Sequence, residues 1–314
     1  MSFPQHVKIY EVGPREGFQI EDALIPTTSK VELINELNET GLTSIEVTSF
    51  VNPKWVPNMA DAEALLLAIN RELNVDYRTV YLNLKGLERA FAVNVKIDGC
   101  VSLSASSTFA KRNTNKTADE LIQTIPAWVE SYKAYNIPVE QLIMMATFGC
   151  NFEGEIELAQ VMNVLKKGIN LAAEHGETIR SLKLCDTMGW ANPEQIKRTI
   201  FAIKNMWPEL ELILHLHDTR GLGIANAYSA LQEGVNQFDA AIGGLGGCPF
   251  AAVKGAAGNV ATEDLVFLCE NLGIDTGINL EKLLNCVTLA ETILARPLQG
   301  HLKTGGLLLQ KNTV

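Results

Sequence analysis

Two histidines separated by one residue are the strongest chemical signal in this sequence. His215 and His217 lie in the run LILHLHDTRG, and this spacing on a strand points both imidazoles to one face. Glu16, in GPREGFQ after the first β-rich run, adds a carboxylate. Two imidazoles and a carboxylate form a facial ligand set for a divalent cation, with positions left open for substrate. The oxygen ligand favours Mg²⁺ or Mn²⁺ over Zn²⁺, whereas the alternative for either histidine is a hydrogen-bonded core residue.

Other ionisable residues fall near the ends of the β-rich runs. Arg15 precedes Glu16, and the pair forms either a solvated loop ion pair or part of an active site. Glu46 lies inside the apolar run SIEVTSF, where a carboxylate is costly unless it is paired, so we expect it to contact Arg15. Asp186, in LCDTMG, either caps the following turn or supports the site.

A glycine-rich segment, GGLGGCPFAAVKGAAGN, follows the last β-rich run. It lacks the Lys-Ser/Thr end of a P-loop and does not follow the first strand, as a dinucleotide fingerprint would. We therefore interpret it as a mobile lid. Cys248 on this lid would hold a thiol over the site that can donate or accept a proton on closure, although a lone cysteine is more often inert.

Short β-rich runs alternate along the chain with longer segments of helical periodicity. The β-rich runs cover residues 6–12, 44–50, 79–84, 99–105, 141–148, 181–187, 210–219 and 237–246. The helical segments include residues 29–41, 117–135, 158–176, 193–207 and 224–235.

This alternation predicts an α/β fold, a (β/α)8 TIM barrel with a short C-terminal extension. Parallel neighbours need helical crossovers, and closure at eight strands removes the sheet edges; an open doubly wound sheet is the alternative. We expect one catalytic domain over residues 1–290 and a tail, packed or mobile, over 291–314. Active-site groups of such barrels come from the carboxyl ends of the strands, which is where the polar residues named above fall.

Composition excludes several classes of function. The 314 residues include 26 Lys and Arg against 36 Asp and Glu, and the formal charge of −10 disfavours nucleic acid or an anionic membrane surface as a partner. The six cysteines form no CxxC pair, which is typical of reduced thiols. With no secretory signal or long apolar run, we expect a cytoplasmic protein that does not enter a membrane.

Several motifs resemble those of the 3-hydroxy-3-methylglutaryl-CoA lyase family. They are VKIYEVGPREGFQ, IEVTSFVNPKWVPNMAD, LHDTRG, GLGGCPF and GAAGNVATEDLVFL, in collinear order between about residues 7 and 290. The resemblance implies a metal-dependent TIM barrel that cleaves a 3-hydroxyacyl-CoA by retro-Claisen chemistry into acetoacetate and acetyl-CoA, in leucine degradation.

Site residues carried over from the resemblance agree with those found from the strand ends. The implied metal ligands are Glu16, His215, His217 and Asn259. The implied catalytic groups are Arg15, its partner Glu46, the supporting Asp186, the loop Cys248 and His215, of which Cys248 or a histidine returns a proton to the enolate. For the acyl-CoA substrate, we consider Lys54, Lys111 and Arg112 as phosphate contacts, although surface cations usually do nothing specific.

Three departures from the family pattern keep alternatives open. Glu16 stands where the family has Asp, the loop from Cys248 to Asn259 is about two residues longer, and the fifth strand lacks an arginine. The alternatives are a lyase for a related branched hydroxyacyl-CoA, a Claisen synthase that joins acetyl-CoA to a 2-oxoacid, and an inactive metal-binding relative. We expect a homo-oligomer, either a dimer or a tetramer.

Overall fold

The computed structural model describes residues 3–93, 95–247 and 257–308. Within these ranges, parallel strands alternate with helices, as predicted. The strands of the barrel are β1 Lys8–Glu11, β2 Ser44–Ser49, β3 Asp76–Val80, β4 Gly99–Ser104, β5 Val139–Met145, β6 Ser181–Cys185, β7 Glu211–His215 and β8 Gln237–Ala240. The helices are α1 Thr27–Asn38, α2 Ala62–Ala68, α3 Leu84–Ala92, α4 Ser107–Thr114, α5 Ala118–Ile122, α6 Ile125–Lys133, α7 Leu158–Glu174, α8 Pro193–Met206, α9 Gly223–Gln232, α10 Thr262–Asn271, α11 Leu280–Leu294 and α12 Leu302–Gly305.

The eight strands form one curled parallel sheet, which confirms the predicted fold class. Their order is β3-β2-β1-β8-β7-β6-β5-β4, so β1 and β8 are hydrogen-bonded neighbours although they lie far apart in sequence. Among the described residues no ladder joins β3 to β4, and the curled sheet is therefore not sealed by hydrogen bonds at that position. The remaining neighbours bring the carboxyl ends of the strands to one face.

Several predicted elements differ from the structure at their boundaries, and two of these differences have a clear local cause. The third strand ends at Val80 instead of residue 84, because Asn83 caps α3 by accepting a hydrogen bond from the Gly86 amide. The predicted helix over 117–135 is two helices, α5 and α6. Pro126, in the first turn of α6, has no amide hydrogen with which to continue the preceding helix.

The interior of the barrel is polar, although TIM barrels are usually filled by branched apolar side chains. A cavity of about 100 Å³ is lined by residues of most of the strands, among them Tyr10, Arg78, Lys183 and Asp239. The main apolar core lies between the strands and the surrounding helices, where residues such as Leu33 are fully buried. The charged interior must therefore be held together by pairing of its own groups.

The described residues after α11 pack against the barrel. The amides of Gln299 and Gly300 donate hydrogen bonds to the carbonyl of Gly243, and the amide of His301 donates to Asp264. A Cβ at Gly300 would lie 1.9 Å from a carboxylate oxygen of the buried Glu263, so a larger residue there would displace the Glu263 side chain or the backbone. No described helix is long and apolar enough to cross a membrane.

Candidate metal centre and active site

Glu16, His215 and His217 meet at the carboxyl ends of β1 and β7, as predicted. Glu16 lies in the helical turn Gly13–Gly17 that follows β1, and His215 is the last residue of β7. His217 lies within the predicted run 210–219 but beyond the observed end of β7 at His215, and it forms a bridge with Asn259. One candidate ligand atom from each of Glu16, His215 and His217 lies within 4.8 Å of the other two, and all three residues are buried.

The orientation of the imidazoles fits a cation. His217 Nδ1 lies 2.9 Å from the Thr187 carbonyl oxygen, which can only accept, so in the neutral ring Nδ1 carries the proton and Nε2 the lone pair. That Nε2 is 3.2 Å from Glu16 Oε1 and 3.1 Å from His215 Nε2. Lone pairs converging on one point are repulsive unless a proton or a metal ion lies among them, and a divalent cation suits this donor set.

The side chain of Asn259 contacts the same centre through its amide group. Its Nδ2 donates to Glu16 Oε1 at 3.0 Å and to the Leu245 carbonyl at 2.9 Å, whereas its buried Oδ1 has no hydrogen-bond partner among the described residues. A Cβ at Gly246, whose φ is +89°, would lie 2.7 Å from Asn259 Nδ2 and 2.8 Å from Glu16 Cγ. Glycine at 246 therefore allows the chain to pass close to both side chains.

Arg15 is held between two carboxylates. Its Nε donates to Glu46 Oε1, as predicted, and its Nη2 lies 3.1 Å from Glu16 Oε2. Burial opposes the charge of Arg15, but Glu46 and Glu16 outweigh it and raise the pKa of the guanidinium. Burial likewise opposes ionisation of Glu16, but His215 and Arg15 hold its pKa well below the ordinary value. The site therefore keeps a fixed cation beside an ionised carboxylate.

Asp186 caps the turn after β6. Its Oδ1 accepts hydrogen bonds from the amides of Trp190 at 2.7 Å and Ala191 at 3.1 Å. Its Oδ2 is buried and has no hydrogen-bond partner in the described parts of the chain. Burial raises the pKa of Asp186, partly offset by His217. Oδ1 therefore forms the predicted cap of the turn, and Oδ2 stays available to the site.

The three predicted phosphate contacts, Lys54, Lys111 and Arg112, do not join this cluster. Cys248 lies outside the described residues. Lys111 Nζ donates to the Asn115 carbonyl at the end of α4, and the Arg112 guanidinium lies 4.2 Å from the ring centroid of Phe152. Lys54 is exposed. No contact found among the described residues connects these three cations with the metal centre, and their role in binding CoA stays a prediction.

Sequence reasoning missed two charged residues inside the barrel, Lys183 and Asp239. Lys183 Nζ lies 2.9 and 2.7 Å from the two carboxylate oxygens of Asp239, and Asp239 Oδ2 lies 3.0 Å from His215 Nδ1. Both residues interrupt buried β-rich runs, SLKLCDT and QFDAAIGGLG. The argument that predicted the pairing of Glu46 would have flagged them as well.

Fold and site together define a TIM-barrel protein with a buried centre of two histidines and a carboxylate. The HMGL-like family model matches residues 6–289, and the chain belongs to this family. The hydroxymethylglutaryl-CoA lyase YngG of Bacillus subtilis is 39% identical over 298 residues, covering 95% of this chain and 96% of its own. The mitochondrial hydroxymethylglutaryl-CoA lyase of Gallus gallus is 41% identical over 287 residues, covering 91% of this chain and 93% of its own.

A solved structure agrees with this assignment. The HMG-CoA lyase from Acinetobacter baumannii, in complex with coenzyme A and 3-methylmalate, superposes with a TM-score of 0.87 at 36% identity. The superposition covers 100% of this chain and 98% of that one. The similarity therefore includes the whole barrel and the elements that carry the metal centre.

Proposed function

We propose that this protein is a divalent-metal-dependent carbon–carbon lyase that cleaves 3-hydroxy-3-methylglutaryl-CoA into acetoacetate and acetyl-CoA. The observation that carries the proposal is the buried convergence of Glu16, His215 and His217 beside Arg15. Relatives about 40% identical over nine-tenths of the chain are hydroxymethylglutaryl-CoA lyases, and the Acinetobacter relative holds coenzyme A. These relationships support an acyl-CoA as the substrate.

Glu16, His215, His217 and Asn259 would hold the cation, with Asn259 binding through its unpaired Oδ1. The chemistry that a bound divalent cation supplies is Lewis acidity toward the hydroxyl and carbonyl oxygens of the substrate. The oxygen atoms of Glu16 and Asn259 favour Mg²⁺ or Mn²⁺ over Zn²⁺ as the ion.

Different residues of the protein carry out the proton transfers and stabilise the negative charge that develops in the reaction. Loss of the hydroxyl proton to a base lets the C–O bond become a ketone while the neighbouring C–C bond breaks, and its electron pair passes to the thioester as an enolate. Asp186 Oδ2, buried and unpaired near the histidines, is our candidate for that base. Arg15, fixed by Glu46, stabilises the enolate oxygen, an effect worth about 3–4 kcal/mol per donor at comparable sites. Cys248 returns a proton to the enolate carbon and completes acetyl-CoA, because both nitrogens of His215 are engaged, Nδ1 by Asp239 and Nε2 at the metal centre.

Release of acetyl-CoA from a panel of hydroxyacyl-CoAs tests the proposal. The metal-loaded protein should release it from 3-hydroxy-3-methylglutaryl-CoA, should stop after chelation, and should recover when Mg²⁺ or Mn²⁺ is added. Activity that resists chelation would contradict the metal centre. Faster cleavage of another branched hydroxyacyl-CoA would reassign the substrate, and no cleavage of any would indicate an inactive relative.

The comparisons do not favour the two other functions. The named relatives that match almost end to end are lyases, and a Claisen synthase or an inactive relative has no counterpart among them.

We further propose that the protein acts in the cytoplasm, in leucine degradation, as a dimer or tetramer. Light scattering on the purified protein measures the mass of the particle in solution, and the mass of a monomer would contradict the proposed dimer or tetramer.

A further inference from the structure

An ion pair inside the barrel lies directly beneath the metal centre. Lys183 extends inward from β6 and Asp239 from β8, and the ammonium contacts both oxygens of the carboxylate, at 2.9 and 2.7 Å. Asp239 is 3% exposed, and the side chain of Lys183 is 15% exposed. Because removing such charges from water is costly, a hydrophobic pair would serve packing at least as well.

Asp239 also contacts a candidate metal ligand. Its Oδ2 lies 3.0 Å from His215 Nδ1, while the same carboxylate accepts from Lys183. A carboxylate can only accept at this contact, so His215 Nδ1 carries the hydrogen and donates it. In the neutral ring the lone pair is then on Nε2, which lies 3.1 Å from His217 Nε2 and 3.8 Å from Glu16 Oε2.

The two histidines are oriented in different ways. His217 donates its Nδ1 hydrogen to the backbone carbonyl of Thr187, a partner that no side-chain substitution removes. The orientation of the His215 ring depends on the side chain of Asp239, and Lys183 compensates the negative charge of that side chain. The orientation of His215 can therefore be altered by mutation without changing any metal ligand.

We propose that Asp239 is a positioning residue for the metal centre: held by Lys183, it fixes the His215 tautomer that turns Nε2 toward the cation. The inference rests on the metal centre of the proposed function and not on its substrate. Outer partners of ligating histidines typically change metal affinity about 10- to 100-fold when they are removed.

The substitution Asp239→Asn should invert the tautomer of His215. Lys183 can only donate, so the amide of Asp239→Asn would turn its oxygen to Lys183 and its NH₂ group to His215. His215 Nδ1 must then accept, which places the ring hydrogen on Nε2, toward the cation. We expect Mn²⁺ binding, followed by electron paramagnetic resonance, to weaken about 10- to 100-fold.

A second substitution should restore much of this loss. In the double variant Lys183→Met with Asp239→Asn, no ammonium holds the amide oxygen, which is free to accept from His215 Nδ1 again. Mn²⁺ affinity should recover toward that of the wild type, whereas damage to packing would accumulate in the double variant. Because it contains no unpaired buried charge, this variant also tests the idea if Asp239→Asn alone does not fold.

Nitrogen NMR of histidine-labelled protein reads the tautomer without metal or substrate. At alkaline pH, once the imidazole signals no longer change with pH, His215 should carry its proton on Nδ1 in the wild type and in the double variant, and on Nε2 in Asp239→Asn. The matched control is Asp275→Asn, which alters an exposed Asp–His contact, 3.2 Å from His6 Nδ1, and should change nothing at the centre.

An unchanged tautomer and unchanged Mn²⁺ affinity in folded Asp239→Asn would overturn the proposal, as would a double variant that binds Mn²⁺ more weakly than Asp239→Asn. Wild-type protein that binds Mn²⁺ but cleaves no hydroxyacyl-CoA would contradict the proposed function alone. In that case the expected affinity and NMR results would still establish the role of Asp239.

Discussion

Arg15 contributes a fixed, bidentate cation to the proposed reaction. Its guanidinium contacts Glu46 through Nε and Glu16 through Nη2, a geometry that a lysine cannot reproduce because its charge is on one atom. We therefore predict that Arg15→Lys lowers kcat by about 100- to 1000-fold, as for the loss of a comparable donor at other sites. Its melting temperature should stay close to that of the wild type, and near-normal turnover would refute the catalytic role.

Glu16 is one of the three departures from the pattern that the resemblance implies. Its Oε1 accepts from Asn259 Nδ2 and from the Gly247 amide, and it faces His217 Nε2 at 3.2 Å, so this site fits the longer side chain. We predict that Glu16→Asp weakens Mn²⁺ binding and lowers turnover, by up to about 100-fold for a displacement near 1 Å. Titration with Mn²⁺ and steady-state assays measure both, and higher turnover in the variant would contradict this fit.

The sequence predicted some members of the site and not others for identifiable reasons. His215 and His217 were predicted from their spacing, which places both side chains on one face of a strand. Glu46 was predicted from the cost of burying an unpaired carboxylate. Asn259 followed only from resemblance, because an amide in a glycine-rich segment has no distinctive pattern. Asp239 acts through contacts with β6 and β7, so its importance depends on strand pairing that the order of residues does not display.

At the scale of elements, buried carboxylates join β1 to the end of the barrel. Glu11 Oε1 accepts from the amides of Gly13 and Ile242, and its Oε2 contacts the Thr262 hydroxyl. Burial raises the pKa of Glu11 to about 7, and the same cause raises that of Glu263 to about 8. These groups couple proton binding to the stability of the segment beside the metal centre.

The raised pKa of Glu11 predicts a stability that falls as pH rises. Below the unfolded value of 4.5 both states are protonated, and between 4.5 and about 7 the unfolded chain ionises first, so the native state loses on the order of 3 kcal/mol. Glu11→Gln removes the charge and keeps an oxygen that accepts from the Gly13 and Ile242 amides, while its NH₂ group donates to the Thr262 hydroxyl oxygen instead of accepting from it. The free energy of unfolding of this variant should fall less across this range.

Chemical denaturation at several pH values measures this slope. The control is Glu32→Gln, a substitution at an exposed position on α1, which should leave the slope unchanged. An equal slope in the wild type and Glu11→Gln would show that Glu11 ionises normally in the folded protein.

Boundaries of elements were less predictable than their order. The alternation of strands and helices along the chain was sufficient for the fold because parallel neighbours require crossovers. The predicted end of β3 was wrong because Asn83, inside the β-rich run TVYLNL, caps the following helix instead of extending the strand. The absence of a described hydrogen-bond ladder between β3 and β4 could not be predicted, because the two strands become neighbours only when the whole sheet has formed.

At the scale of the whole molecule, the metal centre links the first strand of the barrel to the seventh. Glu16 follows β1, whereas His215 and His217 come from β7 and the segment after it, so a cation bound by all three would cross-link elements about 200 residues apart in the sequence. An ion that binds only the folded state stabilises it by an amount set by its concentration, about 2.7 kcal/mol at one hundred times Kd.

We therefore predict that Mn²⁺ raises the melting temperature in proportion to the logarithm of its concentration. The increase should be absent in His217→Ala, which removes a ligand, and present in the control His6→Ala, which removes an exposed histidine. The measurement needs no substrate, so it separates the metal centre from the lyase reaction. A melting temperature that does not respond to Mn²⁺, or that responds equally in His217→Ala, would mean that the converging side chains of Glu16, His215 and His217 do not share an ion.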